Sequence, residues 1–215
     1  PVGIATELSL RLAAAEANAA GGVNGRQIRF AIEDDAYTPS RAYQGLQKLI
    51  DRGVLGIAGT ASAASVGAML PVIDEQRIPL IITGSNAAVE PVRPHVFMIG
   101  ATWEDIIFAQ LKYIHDHDKP SSPYALFRQD DDFGMLVEAG YKRAVNTFKL
   151  PTIEVTKYKR GDKEFTTEAL KWQGSKIGAL VIAGVVTEIP AVLKELAKLK
   201  MNNIPVATSP TGHMA

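Results

Sequence analysis

The residues able to do chemistry in this 215-residue chain sit in short segments of small, hydroxylic or acidic side chains. They are Asp34-Asp35, Gly59-Thr60-Ala61-Ser62, Thr83-Gly84-Ser85-Asn86, Asp130-Asp131-Asp132-Phe133-Gly134, Gly184-Val185-Val186-Thr187 and Ser209-Pro210-Thr211. Hydroxyls and glycines let a ligand approach backbone N–H groups closely, and a helix N-terminus favours a bound anion. Each segment also has a plain structural role open to it: Ser62 suits a helix N-cap and Thr83-Gly84-Ser85 a turn. Two aspartates after a first strand suit a magnesium-dependent phosphoacceptor site only with a further aspartate and a lysine after later strands. The strands ending at Gly59 and Thr83 offer neither, so Asp34 and Asp35 are expected as a cap and a solvated edge. His115 and His117 are two apart, which points their rings to different sides of a helix and argues against a shared metal. Gly21-Gly22-Val23-Asn24-Gly25 ends a helix instead of following a strand, so it is no dinucleotide fingerprint. Arg160-Gly161-Asp162 reads as an exposed turn, and no G-x-S-x-G elbow occurs. Nothing in these constellations points to an enzyme, a metal or a cofactor.

The elements that must position these segments follow from glycine and proline punctuation. Residues 4–20 place Ile4, Leu8, Leu12 and Ala15 on one helical stripe, closed by Gly21 and Gly22 as a C-cap. Residues 27–33 (QIRFAIE) predict a strand, and Thr38-Pro39 a cap and first residue of a helix that stops at Gly53. A buried strand at 54–59, a helix from Ser62 through Ile73 and strands at 78–83 and 95–100 follow. The second half repeats the grammar: helix 103–117, strand 124–129, helix 133–148, strand 152–158, a helix within 163–173, strand 178–184, helix 187–200 and strand 204–208. Apolar strands alternating with amphipathic helices over short connections imply parallel sheets covered on both faces, an α/β architecture. Ligands of such open sheets bind beyond the carboxyl ends of the strands, where the segments above fall. The chain opens on a helix and stops just after a strand, so it reads as incomplete at both ends.

Composition narrows the classes further. With 47% hydrophobic and 21% charged residues, the chain is globular, neither disordered nor fibrous. Lys plus Arg equals Asp plus Glu at 23 each, without a basic run, which argues against nucleic-acid binding. No stretch approaches the roughly 20 apolar residues of a membrane span. The opening PVGIATELSL shows no signal peptide. The absence of cysteine excludes disulfides, thiolate metal sites and a cysteine nucleophile, and is compatible with a reducing or an oxidising compartment.

The stretch NAAGGVNGRQIRFAIEDDAYTPSRAYQGLQKLIDRGVLGIAGTASAAS resembles the opening lobe of type I periplasmic solute-binding proteins of the branched-chain amino acid transporter class. The combination helix–AxGGxxG–strand–DDxxxP–helix–strand–GTASAAS carries the likeness, with QDDDFG and KYKRGDKEFTTEALKWQGSKIGALVIAG resembling the second lobe. The similarity extends over essentially the whole chain. It implies a type I periplasmic-binding-protein-like fold of two doubly wound lobes with parallel sheets. Residues 1–102 would form a first lobe lacking its opening strand, and 103–215 a partial second lobe. Gly100, Ala101, Thr102 and Trp103 would form the hinge crossover.

In the family the first lobe holds the ligand's carboxylate in the loop after GTxxS and the loop after the next strand. Matched by motif, these are Ser62, Ala63 and Ala64, then Thr83, Gly84, Ser85 and Asn86. The second lobe adds an aromatic platform, matched by Phe133, and a contact after GALVIAG, matched by Val185. Amino-acid binders carry an acid after the final strand to take the ammonium, where this chain has Ser209, Pro210 and Thr211. The resemblance thus implies an extracytoplasmic, periplasmic binding protein of an ABC importer, its signal peptide removed. It would close on a small carboxylate, an aromatic or aliphatic acid ahead of an amino acid, and present the closed form to a membrane permease. Two other classes stay open: the ligand-sensing domain of a receptor or amide-responsive regulator on the same fold, and an α/β enzyme or phosphoacceptor domain.

Overall fold

The computed structural model describes residues 2–59, 62–82, 91–184 and 187–209. The chain divides into two compact units, residues 1–101 and 102–215.

The first unit runs α1 (Val2–Ala19), α2 (Pro39–Asp51), β1 (Ile57–Ala58), α3 (Ala63–Gln76), β2 (Leu80–Ile82) and β3 (Val96–Met98). Its three strands are parallel in the order β1-β2-β3, with Ile57 opposite Leu80 and Leu80 opposite Val96. Leu46 of α2, Val66, Met69 and Ile73 of α3, and Ile57, Leu80, Ile82 and Val96 of the strands share one core. Successive strand side chains point to opposite faces. Ile81 and Phe97 therefore turn away from that core and stay 41% and 52% exposed. The apolar stripe of α1, Ile4, Leu8 and Leu12, is exposed as well. Coverage of both sheet faces, expected from the apolar strands, is thus not met among the described residues of this unit.

Glycine ends α1 as the sequence predicts. Gly22 donates to the Ala17 carbonyl (2.8 Å) at φ +74°, and a Cβ there would meet the Arg26 carbonyl oxygen at 2.2 Å. The predicted strand 27–33 does not form. Its backbone finds no ladder partner among the described residues; instead the Asn18 side-chain amide brackets Ile28, accepting from its N–H (2.7 Å) and donating to its carbonyl (2.9 Å). An apolar segment becomes a strand only when a neighbour supplies the other half of its hydrogen bonds. The aspartates that follow are turn formers: Asp34 accepts from Ala36 N–H and Asp35 from Tyr37 N–H, both at 2.9 Å.

The second unit runs α4 (Trp103–His117), β4 (Tyr124–Gln129), α5 (Asp132–Phe148), β5 (Thr156–Tyr158), α6 (Thr166–Gly174), β6 (Ala179–Ala183), α7 (Glu188–Lys198) and β7 (Val206–Thr208). Its strands are parallel in the order β5-β4-β6-β7, with Leu126 opposite Val181 and Val181 opposite Ala207. Both central strands are buried at every position. On one side Leu126 and Val181 pack with Ile107, Leu111, Val137 and Tyr141; on the other Phe127 and Ile182 pack with Phe165, Trp172, Ile189 and Val192. The strand predicted at 152–158 shortens to its last three residues, leaving a lone bridge between Thr152 and Tyr124. No helix among the described residues is long and apolar enough to cross a membrane.

Candidate functional site

In each unit the small-residue segments follow the strands in the chain. After β1, Ser62 N-caps α3, its Oγ accepting from Ser65 N–H at 3.2 Å. Ser62 is buried, and Ala63 and Ala64 are half-buried in the first turn. The capping role weighed for Ser62 is therefore present, and its lone pairs are only partly used by it. Ser65, which sequence reasoning missed, is fully buried and its Oγ has no hydrogen-bond partner among the described residues. The S-x-x-S spacing was the available signal, since it puts both hydroxyls on the first turn of one helix. Thr83, Gly84, Ser85 and Asn86, expected after β2, lie outside the described residues.

Of the residues expected at the crossover, Gly100 and Ala101 are exposed, and Thr102 and Trp103 half-buried. Thr102 caps α4: its Oγ1 accepts from Asp105 N–H (3.0 Å) and donates to Asp105 Oδ2 (2.7 Å). The Arg143 guanidinium, 2.7 Å from Asp105 Oδ1, and the Thr102 hydroxyl together hold the Asp105 carboxyl below its ordinary range. Arg143 also donates to Glu104 (2.9 Å) and lies over the Phe108 ring, so the start of α4 is tied to α5.

At the end of β4, the turn 129–134 is held from several sides. Asp131 N-caps α5 through Gly134 N–H (2.9 Å), and Gln129 Nε2 donates to Asp131 Oδ2 (2.5 Å). Asp130 N–H donates to the Tyr158 carbonyl (2.9 Å). A Cβ on Gly134 would sit 1.8 Å from the Gln129 carbonyl oxygen, so the helix start presses directly on the strand end. Phe133 is only 7% exposed and meets Trp103 edge to face, ring centroids 5.1 Å apart. It belongs to the second unit's core, and in this conformation little of its ring is free to cover a ligand.

Beyond β6, Val185 and Val186 lie outside the described residues. Glu188, in the first turn of α7, is 3% exposed, and Thr187 Oγ1 donates to its carboxylate at 2.8 Å. Ser209 is buried; its Oγ donates to the Gly184 carbonyl (2.5 Å), tying the end of β7 to that of β6. Tyr158 makes a parallel tie, its hydroxyl donating to the Ala183 carbonyl (3.0 Å). Pro210 and Thr211 lie outside the described residues.

The histidines of α4 diverge as their spacing implies: His115 stacks on Phe148 and His117 on Tyr113. A depression of about 500 Å³ lined by His115, Asp116, Lys119 and Pro120 lies where the chain enters β4, at the opposite end of the strand from the turn 129–134.

The profile of a family described as Periplasmic binding protein matches residues 1–213. The leucine-, isoleucine-, valine-, threonine-, and alanine-binding protein of Pseudomonas aeruginosa is 21% identical over 186 residues, 86% of this chain and 50% of that protein. Among solved structures, the branched-chain amino acid transporter substrate-binding protein of Streptococcus pneumoniae, in complex with isoleucine, matches 98% of this chain and 60% of its own (TM-score 0.85, 18% identity). An ABC transporter solute-binding protein of R. palustris, in complex with benzoate, matches 90% of this chain and 54% of its own (TM-score 0.79, 19% identity). The chain spans about half the length of the curated relative that it matches.

Proposed function

The chain belongs to the periplasmic binding protein family, and from that premise we propose that it is part of an extracytoplasmic solute-binding protein of an ABC importer, closing two lobes on a small carboxylate. The carrying observation is the first turn of α3, where Ser62 caps the helix and the buried hydroxyl of Ser65 has no hydrogen-bond partner among the described residues. Such donors suit a carboxylate, and no nucleophile–base pair stands beside them among the described residues. Thr83, Gly84, Ser85 and Asn86 complete this cradle in the proposal, with Phe133, Val185 and Ser209 on the second lobe's side and the hinge at Gly100 to Trp103. Binding without catalysis follows, with no cofactor, and a closed form read by a membrane permease in the periplasm.

The relatives' named ligands include isoleucine and benzoate, so the class of acid is the open variable. An acid without an amino group fits better, because an ammonium buried without an acceptor costs several kcal/mol and Ser209-Pro210-Thr211 supplies no carboxylate. The expected ligand is a monocarboxylate with an apolar or aromatic body. One observation favours a zwitterion instead: Glu188 is a buried carboxylate that accepts a hydrogen bond from the neutral Thr187 hydroxyl.

Calorimetry of the full-length protein with leucine, 4-methylpentanoate, phenylalanine, 3-phenylpropanoate and benzoate separates the two. Tighter binding of the acids lacking an amino group upholds the proposal. Tighter binding of leucine or phenylalanine, lost in Glu188→Gln, makes the protein an amino-acid binder. Binding of none of the five removes the carboxylate reading.

A further inference from the structure

Arg128 is an anomaly in an otherwise apolar strand. Tyr124, Ala125, Leu126 and Phe127 precede it along β4, all buried, yet the arginine side chain is itself only 5% exposed. A buried ion pair is weak support for stability, because desolvation of both charges opposes their attraction, and its better attested use is to select one conformation. The geometry here is selective. The guanidinium reaches in two directions from the strand end. Nε donates to Glu138 Oε2, two turns into α5, at 2.5 Å. Nη1 donates to the Gln129 carbonyl (2.9 Å) and lies 3.3 Å from Asp130 Oδ1. Lys142, one turn further along α5, contacts the other Glu138 oxygen at 2.7 Å. Lys142 first and Arg128 second hold the Glu138 carboxyl below its ordinary range, so the pair stays charged.

These bonds add to the Asp131 cap and the Gly134 contact, and alone link the body of α5 through side chains to the end of β4 and the turn 129–134 among the bonds described above. The side chain of Arg128 also lies against Gly134, whose added Cβ would be 3.3 Å from Arg128 Cδ. We infer that Arg128 and Glu138 form a positioning device that sets the conformation of the turn carrying Asp130, Asp131 and Phe133. This inference deepens the proposed function, whose second-lobe contact at Phe133 that turn supplies. It acts through the turn; neither charged group is assigned to the ligand.

The test separates positioning from plain structural support in the full-length protein. Arg128→Met paired with Glu138→Leu replaces an ion pair that is buried on the arginine side and 16% exposed on the glutamate side by apolar side chains, and for buried pairs such a change is often neutral or stabilising. The double variant should therefore melt close to wild type, while the amides of Asp130 and Gly134 exchange with deuterium roughly tenfold faster or more. Affinity for whichever of benzoate or leucine binds wild type should fall about tenfold. Arg128→Lys gives a second route, since an ammonium keeps one contact with Glu138 but cannot fork to the Gln129 carbonyl at the same time. It too should loosen the two turn amides with the melting temperature nearly kept. Wild-type exchange at Asp130 and Gly134 in a folded variant of either kind overturns the inference. Absence of binding by wild type to both probes counts against the proposed function alone, because the exchange result judges the device without a ligand.

Discussion

In the second unit the central strands are walled on both faces: Leu126 and Val181 face one core, Phe127 and Ile182 the other. Among the described residues of the first unit only the face that meets α2 and α3 is walled, while Ile81 and Phe97 look outward together with the stripe of α1. The strands of both units are similarly apolar, IPLIIT no less than YALFRQ. The difference teaches that apolar content states a demand for cover and not its supply. Burial is worth roughly 25 cal/mol per Å² only where a second surface removes water. The second unit holds its own layers, and the first keeps an apolar face open to a covering element.

The sharpest way to break this contrast is to remove one large side chain from each unit. Trp172→Ala deletes a fully buried indole from the second unit's core and should cost about 3–5 kcal/mol. Phe97→Ala, on the open face, should cost under about 1 kcal/mol. Chemical denaturation of the two variants measures both, and equal losses would mean that the face at Phe97 is covered in solution.

Glycines give a second, smaller contrast of opposite sign. Gly134→Ala in the second unit drives a methyl into the Gln129 carbonyl and should destabilise by about 3 kcal/mol. Gly67→Ala, inside α3 of the first unit with nothing within 4 Å of the new Cβ, should stabilise by about 0.5–1 kcal/mol. Thermal melts of both variants decide it; a destabilising Gly67→Ala would show that the helix has a close neighbour.

The smallest effect concerns acid. Asp105 is depressed below the ordinary carboxylate range by Arg143 first and Thr102 second. A depressed pKa means stability that is present above the unfolded carboxylate's value and lost as pH falls through the folded one. Asp105→Asn should thus shallow the acid limb of the stability profile, by a small amount because the group is exposed and solvent-screened. Melting temperatures of the variant and wild type should converge as pH drops below the carboxylate range. A constant gap at every pH would assign the effect to lost capping alone.

Much of the local architecture was legible. Residues 124–129 form the predicted strand and 103–117 the predicted helix, and Ser62 begins α3. Each depends on periodicity and on side chains within one turn of the backbone they serve. The segment 27–33 misled for the opposite reason: alternation signals a strand, but pairing requires a neighbour that no local pattern announces. At the candidate site the turns at Ser62 and at residues 129–134 were legible as strand-to-helix turns. The free Ser65 hydroxyl, the burial of Phe133 against Trp103 and the fork of Arg128 were not.

By itself the sequence determined an α/β alternation, the helix starts and stops, and the family likeness. Those rest on contacts between residues a few positions apart, which sequence spacing encodes directly. Tertiary structure alone decided which strand face is covered, and that the Ser209 hydroxyl is spent on Gly184, 25 residues away. It also decided that Gln110 reaches the Thr208 carbonyl across 98 residues. Burial and hydrogen-bond satisfaction are properties of the space around a group, and that space is furnished by residues distant in the chain.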